Sequence, residues 1–323
     1  KKKGANLIYF GPGVHNLPND TLFVPSGTTV YIDGGARVYG NIFTEGAHDV
    51  NIFGRGEVHP DGRGAGVWVR RSKNVRIDGI VVSQLPIGQC DSVELTNVKS
   101  ISYYGWGDGM DVFSSSNVIL DGVFCRNSDD CAAVYASTQG FKGGSNNVLV
   151  KNATLWADVA HPINIGGHGD PNGMDTVQNV TFRNIDILDQ AEKQIDYQGC
   201  LAINPGDNTL VRNITFENIR IEDFRNGQLV NFRISFNPKY CVSTGRGIQN
   251  VLVKDVTYNG SGENLSIIAG YDENHKISGI RFVNLVVNGR KITDDMPGKP
   301  KWYKTGDMAG IFVGEHVENL SFE

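Results

Sequence analysis

Asn, and once Gly, repeatedly leads a run of β-branched or aliphatic residues along this chain. The runs are VNIFG at Asn51, KNVRIDGI at Asn74, TNVKSI at Asn97, SNVILDGVFC at Asn117, NNVLVKNATLW at Asn147, QNVTFRNIDIL at Asn179, RNITFENIRIEDF at Asn213, QNVLVKDVTY at Asn250, SGIRFVNLVVNG at Gly279 and ENLSFE at Asn319. Their spacing is about 20 to 23 residues early on and later stretches to about 30 to 40, as in a solenoid whose minimal rung is constant while loops enter particular rungs. Within a rung apolar residues alternate with polar ones, as Val75 and Ile77 or Val180 and Phe182 do, which is the period of a half-buried strand between Asn, Asp and Gly corners. No stretch carries sustained, capped helical spacing, so crossover helices are missing and a βα barrel is excluded. A propeller would need antiparallel hairpin signals and a longer, more constant period. The pattern predicts an all-β, right-handed, single-stranded parallel β-helix, with stacked Asn amides hydrogen-bonding from rung to rung at one corner.

Composition sets outer bounds. The 323 residues include 40 glycines and are 40% hydrophobic, and no Pro/Ser-rich linker or charge run divides them, so residues 1–323 read as one solenoid domain. A net charge of −5 argues against a nucleic-acid partner, which needs a basic face, and no apolar run is long enough for a membrane span. The chain starts on KKKGANLIYF, without an initiator Met or signal peptide, and is expected to be a mature or trimmed form of a longer one. The five cysteines are scattered and odd in number, so at least one thiol is unpaired; they show no metal-ligand spacing, and no cofactor or metal is expected. Cys131 reads as a small inward hydrophobe. The Asn-X-Ser/Thr triplets at Asn152, Asn179, Asn213, Asn259, Asn264 and Asn319 read as architecture, several being the corner Asn followed by a β-former and Thr. Oligomeric state is left open.

The chemistry-bearing residues are acids. Asp129 and Asp130 lie in RNSDDCAAV, and Asp108 lies about one repeat upstream in GWGDGMDV. Alone, an Asp-Asp pair flanked by Asn and Ser is a solvated turn. In stacked rungs, however, residues one repeat apart become neighbours, and three converging carboxyls can hydrolyse a glycosidic bond, one protonating the leaving oxygen while an ionised one activates water. Asp111 follows Asp108 at a spacing that reverses side-chain direction along a strand, so a structural role is expected for it.

The blocks GWGDGMDV, RNSDDCAAV and HPINIG, with LIYFGPGVH, TTVYIDGGARVYG and GRGEV before them, resemble the β-helical glycoside hydrolase clan of polygalacturonases (family 28) and dextranases and isopullulanases (family 49). The similarity runs from Ile8 to Gly169; later rungs match only in their repeat. The resemblance implies that Asp129 is the general acid, that Asp108 and Asp130 hold and deprotonate the water, and that the anomeric configuration is inverted. It also implies that His161, rather than His168 of the literal GHG, tunes their protonation; a satisfied corner histidine is the plainer alternative. Crowded carboxylates cannot all ionise, so one must keep its proton.

Polygalacturonases carry an Arg-X-Lys pair one rung beyond the histidine. Here GCLAIN puts Ala202 and Asn204 at those places, with Arg233 a further rung along as an imperfect replacement, and the polygalacturonase capping helix has no counterpart before LIYFGPG. The departures predict a neutral α-linked glycan, as for dextranases, with a polygalacturonase-like pectin hydrolase as the alternative. A polysaccharide lyase and a non-catalytic glycan-binding solenoid are more distant readings. Substrate contacts are expected from Trp106, Tyr135, Asn164, His168, Tyr197, Asn204 and Arg233, and Tyr103, Tyr104 and Trp156 also cluster near the acids in rung order. A polysaccharide substrate in turn predicts a secreted, periplasmic or cell-surface location.

Overall fold

The computed structural model describes residues 6–262 and 264–323; the charged start of the chain, Lys1 to Lys3, lies outside them. Strands stack into three parallel faces running the length of the molecule. The pairings between consecutive rungs are parallel throughout, and the antiparallel partner of Ile277–Val287 is the short strand Arg290–Ile292. The architecture is the expected right-handed parallel β-helix, the hand that parallel crossovers take by virtue of strand twist.

One face positions the site. Its strands include Met110–Phe113, Ala132–Tyr135, Ile163–Gly166, Leu201–Asn204 and Val230–Arg233, paired in that order. Register keeps like with like: Val112, Val134, Ile165, Ile203 and Phe232 lie side by side, pointing inward and buried. Interior rings stack in the same manner, Phe182 on Phe216 at 5.9 Å and Phe282 on Phe322 at 4.8 Å between centroids. Burying such a column drives the stack together without any cross-link, and all five cysteines are free and buried.

The Asn corners have a backbone reason in addition to their amides. Asn74, Asn97, Asn117, Asn147, Asn152, Asn179, Asn184, Asn213, Asn218 and Asn250 all hold positive φ, a left-handed conformation that Asn tolerates better than other residues with a Cβ. Their side chains then bond down the stack: Asn147 Nδ2 donates to Asn117 Oδ1 at 2.7 Å, and Asn184 Nδ2 to Asn152 Oδ1 at 2.7 Å. Asn51 is an exception: Asp49, two residues earlier in the strand His48–Gly54, takes the left-handed corner of that rung in its place. Where Gly279 leads the run, glycine supplies the same positive φ, 73°.

Candidate active site

Three successive rungs bring the acid blocks together at the start of their strands. Gly109 N donates to Asp130 O at 2.7 Å, and Cys131 N donates to His161 O at 2.9 Å, so Asp108, Asp130 and His161 are aligned by backbone bonds alone. Asp108 sits between two glycines that could not be replaced: a Cβ on Gly107 would meet the Ser128 and Ser102 hydroxyls, and one on Gly109 the Cys131 carbonyl and Asn127 Oδ1. Buried Asn127 fixes the segment from below, its Nδ2 donating to Ser100 and Ser102 Oγ at 3.0 Å each and to Asp108 O at 3.3 Å.

Asp108, Asp129 and Asp130 converge, with one oxygen of each within 4.8 Å of the others. Among the described residues this is also the one group of acids that could gather round a hard cation. The three are not equivalent. Asp130 is buried and saturated: Oδ1 accepts from His161 N at 3.0 Å and His161 Nδ1 at 2.7 Å, and Oδ2 accepts from Tyr135 Oη at 2.6 Å and Asn164 Nδ2 at 2.8 Å. Burial pushes its carboxyl up, but His161 and the bonds from Asn164 and Tyr135 outweigh it and hold the group below its ordinary value. Asp129 and Asp108 are half-buried with few donors. Burial and then the Asp130 charge push Asp129 up to about 7. Burial, followed by the charges of Asp129 and Asp130, raises Asp108 well above its ordinary value.

The acids open into a cavity of about 940 Å³. Trp106, Tyr135, His168 and Tyr197 line it as well as Tyr103 and Tyr104. Asp111 lines it too, against the expectation from alternation: the strand begins only at Met110, so Asp108 lies in the preceding turn and side-chain alternation does not relate the two acids. Burial, then the Asp108 charge, raises Asp111 well above the carboxylate range.

Four expected residues do not reach the cavity wall. His161 is fully buried behind Asp130, its ring 4.4 Å from that of Tyr197. Asn164 is buried beneath Asp130, spending its amide on that carboxylate and on Tyr135. Asn204 turns along the stack to Asn231 Oδ1 at 3.1 Å and Arg233 O at 3.3 Å. Arg233 folds away onto Asp196 O at 3.0 Å, because Asp196 lies in the inserted turn Ile195–Tyr197 that overhangs its strand. Trp156 likewise lies under Arg126, 4.2 Å from guanidinium carbon to ring centroid. In their place the wall contains Gln139, Val159, Ala160, Glu192, Gln194, Lys239 and Tyr240, none of them in a recognisable block. Glu192 to Tyr197 and Lys239 to Tyr240 fall in the loops that lengthen the later repeats, and those long intervals were the available signal.

A family profile described as Glycosyl hydrolases family 28 matches residues 65–296. A polygalacturonase of Juniperus ashei is 26% identical over 216 residues, covering 64% of this chain and 39% of that protein. The chain spans about half the length of the curated relatives it matches. Among solved structures, a family 28 exopolygalacturonase of Yersinia enterocolitica superposes with a TM-score of 0.69 at 13% identity, over 98% of this chain and 73% of that one. Dex49A of Penicillium minioluteum follows with a TM-score of 0.65 at 14% identity, over 99% and 64%. At such identities the superpositions establish the fold. Among the described residues no helix is long and apolar enough to cross a membrane.

Proposed function

The chain belongs to glycosyl hydrolases family 28, and from that premise we propose that it hydrolyses an α-linked pectin-type polysaccharide with inversion at the anomeric carbon. The observation that carries the reading is the contrast between two adjacent carboxyls. Asp129, raised to about 7, keeps a proton for the glycosidic oxygen, whereas Asp130, held low by four donated hydrogen bonds, stays ionised beside it. In the reaction Asp129 gives its proton to the leaving oxygen as the C–O bond breaks. A water held by Asp108 and Asp130 attacks the anomeric carbon and passes its own proton to the ionised carboxylate. His161 acts through Asp130, fixing its orientation and charge.

Substrate class follows the relatives more than the missing cations. The neutral-glycan expectation rested on Ala202 and Asn204, but matched relatives are described as polygalacturonase, exopolygalacturonase and endo-xylogalacturonan hydrolase. A polymer of that kind is met outside the cell, which favours an exported protein. Inversion rests on family membership, because oxygens within 4.8 Å lie closer than the roughly 6.5–9.5 Å usual between inverting carboxyls.

One experiment tests both parts. The protein is incubated with polygalacturonate, dextran and other α-glucans, and the new reducing end is followed by proton NMR before mutarotation. Release from polygalacturonate with the opposite anomer is expected; a retained anomer refutes the mechanism, preferential release from α-glucans restores the neutral-glycan reading, and an unsaturated product absorbing in the ultraviolet makes the protein a lyase.

A further inference from the structure

Five acids line the cavity wall, Asp108, Asp111, Asp129, Asp130 and Glu192. Facing them, Lys239 is the single Lys or Arg that lines the cavity among the described residues. It stands in the loop between the strands Val230–Arg233 and Gly247–Tyr258, far in sequence from the acid blocks.

That loop is fastened to its neighbours at several points. Lys239 N donates to Asn237 Oδ1 at 3.1 Å, and Asn237 Nδ2 reaches Asp196 Oδ2 at 3.3 Å in the preceding inserted turn. The next residue, Tyr240, stacks on Tyr197 at 5.0 Å, and Tyr197 meets the ring of His161, so a chain of ring contacts leads from Lys239 to Asp130. After it, Cys241 Sγ donates to Gly167 O at 2.9 Å, and the Val242 and Ser243 amides cap Asp207 Oδ1 at 2.7 and 3.1 Å. The backbone is therefore set while the ammonium is lightly held: Lys239 is exposed, its Nζ donates to Gln194 Oε1 at 3.1 Å and rests against Tyr240, 4.8 Å from the ring centroid. A neutral amide is a partner that an incoming carboxylate can displace, because a charge-assisted bond is the stronger of the two. Arg233, engaged with Asp196 and off the wall, is not available for the task.

We propose that Lys239 binds the carboxylate of an acidic sugar in the cleft beside Asp129, supplying from a later inserted loop the cation that the strand Leu201–Asn204 lacks. The assignment rests on the pectin-type reading above and deepens it. It also accounts for how an acidic polymer is accepted by a wall so rich in carboxyls: burial raises Asp108, Asp111 and Asp129, which lessens the charge they carry, and Lys239 answers the sugar's charge.

Binding is measured by calorimetry with trigalacturonate and with its methyl ester, in the Asp129→Asn background so that neither ligand is consumed. Lys239→Gln is expected to weaken the free acid about tenfold and leave the ester unchanged, Lys239→Arg to keep most of the affinity, and added salt to erode the difference. The inference is overturned if Lys239→Gln leaves the acid unaffected, if it weakens acid and ester alike, or if the acid binds no tighter than its ester. Reducing-end release by the protein with Asp129 intact separates the two levels. Absent release with Lys239-dependent binding removes the hydrolase reading alone, whereas release without any Lys239 dependence removes the inference alone.

Discussion

The floor of the cleft and its rim are built on different terms. On the floor, Asp130, His161, Tyr135 and Asn164 are buried, and each of them bonds at short distance to another of the four. On the rim, Trp106 is 77% exposed, Tyr103 is 86% exposed and Lys239 reaches solvent from a loop. The floor sets proton affinities, which need low dielectric and fixed donors. On the proposed function the rim is where a polymer enters and leaves, which needs accessible rings and a displaceable charge. The difference teaches that one cleft can separate chemistry from recognition by depth, and substitutions should divide along the same line.

The largest effect is expected at the junction of the two. Asp129→Asn removes the proton donor with almost no change of shape, so kcat should fall about 10²–10⁴-fold with an unchanged melting temperature. Under the proposed mechanism the active form has Asp129 protonated, so activity should decline as pH rises through about 7, tenfold per unit. The acid limb belongs to Asp130, the ionised carboxylate that takes the water's proton under the proposed mechanism; because its hydrogen bonds hold it low, that limb should lie below the ordinary carboxylate value, with both limbs reporting apparent values of the coupled pair. An alkaline limb that survives in the residual activity of Asp129→Asn would move the acid role to Asp108.

His161→Ala probes the floor. The pair it forms with Asp130 is 0% and 2% exposed, so removing the imidazole leaves a buried carboxylate short of a partner and should destabilise the fold by about 3 kcal/mol as well as suppress turnover. Urea unfolding measures the first and initial rates the second. A loss of activity without loss of stability would show that the floor is less rigid than its hydrogen bonds indicate.

Trp106→Gly probes the rim and should do least. Trp106 holds φ of 57°, an unfavourable conformation for a bulky side chain that glycine adopts freely, so the melting temperature should stay level or rise slightly. If the indole stacks on a sugar face, KM should rise several-fold with kcat little changed. Unaltered kinetics would leave Trp106 without a place in recognition.

The two regions also differ in how far the sequence discloses them. The convergence of Asp108, Asp129 and Asp130, with His161 behind them, was legible because the repeat fixes register: residues at equivalent points of successive rungs must become neighbours. Lys239, Gln194 and Glu192 were hidden because an inserted loop has no register, and only its fold-back decides whether it reaches the cleft. The direction of Asp111 was missed through a strand boundary two residues later than assumed, and the reach of Arg233 through the unseen turn that occupies its guanidinium. Neighbouring rungs are predictable from each other, whereas what is inserted between them is not.

Because each strand pairs only with the rungs before and after it, damage in this molecule has an address. A lesion in the last paired strand, Val317–Phe322, loosens one contact layer, and several intact layers separate it from His161. Amide exchange should accordingly rise in the rung that carries a lesion and stay slow through Met110–Phe113 to Leu201–Asn204, where opening requires breaking pairings on both sides. The cleft is thus insulated from damage in rungs remote from it.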